Sequence, residues 1–384
     1  MNKRIISVFG TRPEAIKMAP LVQALASAED FESSVCVTAQ HRYMLDQVLD
    51  LFSIKPDFDF DLMRPGQDLV DITSRTLRET RSLIRSAAPD LLLVHGDTTT
   101  CFAVALAAFY EGIKIGHVEA GLRTYDLKAP FPEEFNRSVV DKICDFHFAP
   151  TETARENLLQ ERVDDRNIWV TGNTVIDALY HVRDLVDRYD RQHWESVFGN
   201  DLVARVKDPS RKLILVTGHR RENFGDNFRS LCQAIRDLSI GHLDWDIIYP
   251  VHLNPNVQKP VRDILSEQDN VHLIDPLEYE PFIWLMNRCD IILTDSGGIQ
   301  EEGPALGKPV LVMRDVTERP EAVDAGTVEL VGADRGRIVA RVEALFEDAD
   351  LYNRMSNSIN PYGDGRAVER IVSALRGIIS AGGI

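Results

Sequence analysis

No apolar run in this 384-residue sequence approaches the roughly 20 residues that a membrane-spanning helix needs. The first run, Ile5–Phe9, is also too short for the apolar core of a secretion signal, and it reads as a first β-strand. Basic residues are in deficit: 43 Lys and Arg stand against 60 Asp and Glu, a formal charge of −17. Such a surface repels nucleic acid and anionic lipid, so neither is an expected partner, and an anionic substrate requires a local cationic pocket. Cys36, Cys101, Cys144, Cys232 and Cys289 show no CxxC spacing and lie in apolar strand-like or helix-like stretches. They read as buried free thiols of a reducing compartment, which predicts a cytoplasmic protein. The histidines have no HxxxH or HExxH spacing, so no catalytic metal is expected. No Walker A motif occurs, and no GxGxxG follows the first strand, so a nicotinamide cofactor is not supported. Short repeats and low-complexity segments are also missing.

What is present is an alternation. Short continuous apolar runs take turns with longer helix-period segments, the pattern of parallel sheets covered by helices on both faces. In the first half, strands are predicted near Ile5–Phe9, Ser34–Thr38, Leu91–His95, Ile113–Val118, Phe146–Ala149 and Ile168–Val170. The second half repeats the plan from Leu213–Thr217 to Val328–Val331, after a polar stretch, Thr174–Pro209, that reads as helices and connections. The expected fold class is α/β, with two Rossmann-like domains facing a cleft. In open parallel sheets ligands bind beyond the carboxyl ends of the strands, so the residues just past each strand carry the functional signal.

Those residues are charged or small in both halves. The first strand runs into Gly10-Thr11-Arg12-Pro13-Glu14-Ala15-Ile16-Lys17, and Leu91–His95 into Gly96-Asp97-Thr98. Ile113–Val118 is followed by Glu119-Ala120-Gly121-Leu122-Arg123 and then by Pro130-Phe131-Pro132-Glu133-Glu134. In the second half, Leu213–Thr217 leads to Gly218-His219-Arg220, and Ile291–Thr294 to Asp295-Ser296-Gly297-Gly298 with Glu301 and Glu302 beyond. A lone Asp or Ser after a strand is as often a helix cap, and a lone His is more often a satisfied core residue. Five such groups on the same expected edge outweigh those readings. The Ser296-Gly297-Gly298 turn would let a diphosphate approach backbone N–H groups, and Glu301 and Glu302 could accept ribose hydroxyls.

The motifs GTRPEAIKMAP, TAQHR, VHGDTTT, GHVEAGLRT, PFPEEFNR, VTGNTVIDAL, TGHRRENFG, YPVHLNPNV, LTDSGGIQEE and NPYGDG together resemble the bacterial non-hydrolysing UDP-N-acetylglucosamine 2-epimerases. The resemblance runs from Ile5 to about Ile379. It implies a glycosyltransferase-B-like fold, with a domain 1–172 rejoined by 366–384, a domain 173–365, and a final helix crossing back to the first. It implies a homodimer that interconverts UDP-N-acetylglucosamine and UDP-N-acetylmannosamine without a cofactor, supplying cell-surface polysaccharide. By residue match the nucleotide pocket falls on Arg12, His219, Ser296, Gly297, Gly298 and Glu302. The chemical residues fall on Lys17, Asp97, Glu119 and Glu133, with His219. An activator site for a second UDP-N-acetylglucosamine matches at Gln40, His41, Arg220 and His252. Two of its usual side chains are replaced, by Tyr43 and Gly66, which predicts near-hyperbolic kinetics. Tyr125 is a further departure from the family pattern.

The C2 proton of the sugar is not α to a carbonyl, so direct deprotonation and return is unavailable. Elimination of UDP across C1 and C2, through 2-acetamidoglucal, is one route that remains. It requires donors on the departing diphosphate and acid–base groups on both ring faces. Arg12, His219 and the Ser296–Gly298 backbone suit the first need; Asp97, Glu119 and Glu133 suit the second. A hydrolysing epimerase, a retaining glycosyltransferase and a catalytically silent nucleotide-sugar sensor stay open as rivals at this point.

Overall fold

The computed structural model describes residues 2–39, 42–64 and 66–384. Two compact units emerge: Met1–Ala178 with Tyr362–Ile384, and Leu179–Pro361.

The first unit is built on β1 (Lys3–Phe9), β2 (Phe31–Val37), β3 (Phe58–Asp59), β4 (Leu91–His95), β5 (Lys114–Val118), β6 (Phe146–Ala149) and β7 (Ile168–Val170). All pair in parallel, in the order β3-β2-β1-β4-β5-β6-β7. Strand β4, Leu-Leu-Leu-Val-His, is buried along its whole length, as a strand covered on both faces must be. The second unit holds β8 (Lys212–Thr217), β9 (Trp245–Pro250), β10 (Val271–Ile274), β11 (Ile291–Thr294), β12 (Val310–Val312) and β13 (Val328–Leu330). These are parallel too, in the order β10-β9-β8-β11-β12-β13. Each unit therefore has a Rossmann-type reversal of strand order, at β1/β4 and at β8/β11, where adjacent strands part and leave a ligand crevice. Each has its own apolar core, around Val8, Leu92 and Val104 in the first and around Ile214, Ile247 and Leu293 in the second.

The polar stretch between the halves forms three helices, Thr174–Val186, Arg191–Phe198 and Asn200–Val206. Three short elements left no signal in the sequence. Strand β3 has two residues, too few for any period. The helix Pro320–Asp324 lies in a run dense with charge, and Ala349–Asn357 buries only Met355.

The unit boundaries fall at Ala178/Leu179 and Pro361/Tyr362, not at the expected 172/173 and 365/366. Hydrogen bonds explain the shift. The Asn173 N–H donates to the Tyr362 carbonyl at 2.7 Å. The last helix, Ala367–Ser380, starts at Arg366 with no side-chain cap of its own. Asp177 supplies one from another helix, accepting the N–H groups of Ala367 at 3.1 Å and Val368 at 3.0 Å. The last helix then packs on Arg12–Ala26, and its Arg376 pairs with Asp30 at 2.6 Å. Among the described residues no helix is long and apolar enough to cross a membrane.

Candidate functional site

In the first unit the crevice between β1 and β4 is lined by two turns tied through one carboxylate. Thr11 and Glu14 cap the helix Arg12–Ala26 reciprocally. Glu14 Oε2 accepts from the N–H groups of Gly10 at 3.0 Å and Thr11 at 2.8 Å, and its Oε1 accepts from the Thr98 hydroxyl at 2.6 Å. Burial pushes the Glu14 carboxyl above its ordinary range, and these bonds pull it part of the way back. Arg12, the first helical residue, is half-buried and forms no ion pair among the described residues, which leaves its guanidinium for a ligand.

Lys17, five residues further along that helix, forms an ion pair with Glu119 Oε2. Glu119 follows β5 with a φ of +65°, a left-handed conformation that costs a non-glycine residue about 1–3 kcal/mol. Its Oε2 also accepts from Asn173 Nδ2 at 2.7 Å. The turn beyond it is held from below by Asp141, on the helix Glu133–Ile143. Asp141 Oδ2 accepts from the Gly121 N–H at 3.1 Å and pairs with Arg123 at 2.8 Å, while Oδ1 meets His117 Nδ1 at 2.6 Å. Burial alone would raise the Asp141 carboxyl; His117, Arg123 and His147 outweigh it and hold it well below the carboxylate range. Gly121 has a φ of +87°, and a side chain there would strike the Ala154 carbonyl at 2.3 Å, so only glycine makes this turn.

Asp97 follows β4 and is half-buried. Its carbonyl accepts from Asn136 Nδ2 at 2.8 Å, and its carboxylate lies 3.5 Å from Arg137. The helix Glu133–Ile143 is thereby fixed against the β4 turn, with Glu133 as its first residue. The adjacent acids differ. Glu134 is buried, accepting from the N–H groups of Thr124 at 3.0 Å and Tyr125 at 2.9 Å, so it is a loop anchor. Glu133 is half-buried and makes no hydrogen bond or ion pair among the described residues. Tyr125, at a φ of +62°, sends its hydroxyl to Asn157 Oδ1 at 2.8 Å, which ties the loop to the helix Glu152–Gln160.

In the second unit the crevice between β8 and β11 is organised by Asp295, which is fully buried. Its Oδ2 accepts from the N–H groups of His219 and Arg220, both at 2.8 Å, and its Oδ1 lies 3.6 Å from His219 Nδ1. The His219 ring stacks on His252 at 5.3 Å. Burial lowers the His219 pKa; Asp295 opposes this, and His252 and Arg220 add to it. A side chain at Gly297 would stand 3.6 Å from the Arg220 guanidinium and 3.8 Å from that of Arg319. The local cationic wall that the overall charge demands is therefore present beside the glycine turn. The N–H groups of Gly297 and Gly298 donate to no acceptor among the described residues. Ser296 precedes them, its own N–H tied to Thr294 at 2.9 Å.

The two acids beyond this turn also separate. Glu301 is buried against Arg319 at 2.7 Å, which corrects the expectation that it faces a ribose. Glu302 accepts from the Tyr279 hydroxyl at 2.7 Å and lies 3.8 Å from the side-chain position of Gly298.

The sequence-derived residues thus form two groups, one per unit. Arg12, Lys17, Asp97, Glu119 and Glu133 gather at the carboxyl edge of the first sheet. His219, Arg220, His252, Ser296, Gly297, Gly298 and Glu302 gather at that of the second. Gln40 and His41 lie outside the described residues. Sequence reasoning missed Glu14, Asp141, Asn173 and Asp295, the groups that hold the others. Only Asp295 carried a signal, as the first residue after its strand.

A family model described as UDP-N-acetylglucosamine 2-epimerase matches residues 23–376. The chain is 58% identical over 373 residues to an Escherichia coli K12 protein named UDP-N-acetylglucosamine 2-epimerase, covering 97% of this chain and 98% of that one. It is similar to the crystal structure of a Neisseria meningitidis UDP-GlcNAc 2-epimerase bound to UDP-GlcNAc, with a TM-score of 0.88 and 48% identity over 97% of this chain and 100% of that one. A structure described as a putative UDP-N-acetylglucosamine 2-epimerase from Listeria monocytogenes gives a TM-score of 0.91 at 44% identity, over 99% and 98% of the two chains.

Proposed function

The chain belongs to the UDP-N-acetylglucosamine 2-epimerase family of enzymes, and from that premise we propose that it interconverts UDP-N-acetylglucosamine and UDP-N-acetylmannosamine by eliminating and re-adding UDP. The observation that carries this reading is Glu119: a carboxylate in a strained backbone conformation at a strand end, gripped by Lys17 and Asn173. Strain of this kind persists where the surrounding structure enforces it, and it clusters at functional sites.

In the forward half-reaction a carboxylate takes the C2 proton. The C2–H electron pair becomes the C1=C2 double bond, and UDP departs with the C1–O pair. Arg12, His219 and the Gly297–Gly298 amides supply donors to the diphosphate as its charge grows. In the return half, a proton reaches C2 from the opposite face while a UDP oxygen attacks C1. Two carboxylate positions are needed for two faces, and Asp97, Glu119 and Glu133 are three at one sheet edge. The Tyr279–Glu302 pair takes the ribose, in place of the Glu301–Glu302 pair expected from sequence.

The free cysteines support a reducing, cytoplasmic setting. We assign the enzyme to a homodimer that feeds cell-surface polysaccharide with N-acetylmannosamine units. Incubation with UDP-N-acetylglucosamine under phosphorus NMR tests the reading: a second UDP-sugar should appear with its diphosphate intact. Steady accumulation of UDP beside free N-acetylmannosamine would make the hydrolysing rival correct.

A further inference from the structure

His95 is the last residue of β4, and it is almost fully buried. Neither of its ring nitrogens has a hydrogen-bond partner among the described residues. Buried polar atoms without partners are rare, because each has lost its water and gained nothing. A leucine or valine would fill a strand end between Val94 and Gly96 at no such loss. The ring is not isolated, however: its Nε2 stands 3.9 Å from Glu119 Oε2, about one ångström beyond hydrogen-bond reach. His95 pairs in register with Val118, the residue before Glu119, so the two side chains leave neighbouring strand ends.

The other Glu119 oxygen, Oε1, lies beside Gly96, 3.6 Å from where a side chain at that residue would begin. Lys17 and Asn173 both hold the Glu119 Oε2. Lys17 sits one and a half helical turns from Arg12, a residue assigned to the substrate, and is partly exposed. We propose that His95 is a positioning residue for Glu119, its neutral imidazole donating Nε2–H to the carboxylate once substrate draws Lys17 away. Glu119 would then stay aimed at C2 through the step in which its ion pair loosens. The ring's other charged neighbours agree with a neutral state. Burial chiefly, with Lys17 and His117 adding and Glu119 opposing, lowers the His95 pKa to about 3. A neutral ring has one N–H to give, and Glu119 Oε2 is the acceptor that faces it.

This inference rests on Glu119 being an acid–base group of the proposed epimerisation. H95F keeps ring volume and removes the donor; H95Q returns a donor near the Nε2 position. The expected result is that H95F lowers kcat about tenfold or more with KM within about twofold, and that H95Q recovers most of the loss. The acid limb of the kcat profile should also move to higher pH in H95F, because its carboxylate has lost a donor. Equal kcat in wild type and H95F, or an H95Q no better than H95F at matched thermal stability, would overturn the assignment. A second measurement uses no turnover. In enzyme labelled with 15N-histidine, His95 should be the neutral Nε2–H tautomer, and its Nε2–H resonance should move downfield when UDP-N-acetylglucosamine is added. An unmoved resonance on saturation also overturns it. If the wild type binds the UDP-sugar but does not epimerise it, the functional reading fails, and the resonance still decides what His95 does.

Discussion

At the residue scale the proposed chemistry concentrates on Glu119. Replacing its carboxylate by the isosteric amide keeps the Asn173 contact geometry and removes the proton acceptor. Glu119→Gln should lower kcat by roughly 10²–10⁴, the usual contribution of a general acid or base, with little change in UDP affinity. It should also slow the two half-reactions unequally, so that UDP and 2-acetamidoglucal escape into solution, which chromatography of the quenched reaction would detect. Glu302→Ala should instead weaken UDP binding by about 1–3 kcal/mol, because it takes the acceptor from a ribose hydroxyl. Calorimetry that returned an unchanged UDP affinity would remove Glu302 from the pocket. At this scale the sequence shows the residues that end strands, since they break an apolar pattern. It cannot separate Glu133 from Glu134, or Glu301 from Glu302. Each pair is chemically alike, and which member is committed to a structural partner, as Glu134 is to the Thr124–Tyr125 loop and Glu301 to Arg319, depends on the direction the helix faces. Nor can a histidine that closes an apolar strand, such as His95, be told from a packed core residue.

Among the elements, the helix Glu133–Ile143 has the most to support. Its Asn136 and Arg137 reach the Asp97 turn, and its Asp141 holds the Glu119 turn. Asp141 is held well below the ordinary carboxylate range, so its stabilisation is fully present above the unfolded-state value, about 4, and is lost as pH falls through the folded-state value. Asp141→Asn takes the buried carboxylate from His117 and leaves Arg123 with Glu161 alone, and should destabilise the first unit by about 3–5 kcal/mol at neutral pH. Its urea midpoint should also vary less between pH 5 and pH 3 than that of the wild type. Equal slopes in both proteins would show that another group governs acid unfolding. Element by element, the alternation of apolar runs and helical periods located the long strands and helices of both units. The two-residue β3 and the helix Ala349–Asn357 escaped because neither buries a repeating face. The domain boundary escaped for a different reason. It is set by Asp177 and Asn173 bonding to residues about 190 positions away, and nothing local records that.

For the whole molecule, a charge of −17 must be reconciled with the doubly charged diphosphate of the proposed ligand. In the proposed site Arg220 beside Gly297 answers that charge locally, while Arg319 is already paired with Glu301. Of the residues that the resemblance matches to a second, activating UDP-sugar, Arg220 and His252 belong to the His219 cluster, while Tyr43, which replaces one of the usual side chains there, is largely exposed. Initial rates against UDP-N-acetylglucosamine should therefore be near-hyperbolic, and UDP-N-acetylmannosamine should turn over without added activator. Strong sigmoidality with a strict activator requirement would show that the remaining residues suffice. The central claim, that C2 is inverted through loss of its proton, is tested most directly in deuterated water. Product isolated after a single turnover, analysed by proton NMR and mass spectrometry, should carry one deuterium at C2, since protons leave and arrive through different groups on different faces. Epimerised product that keeps its original C2 hydrogen would contradict elimination and, with it, acid–base roles for Asp97, Glu119 and Glu133.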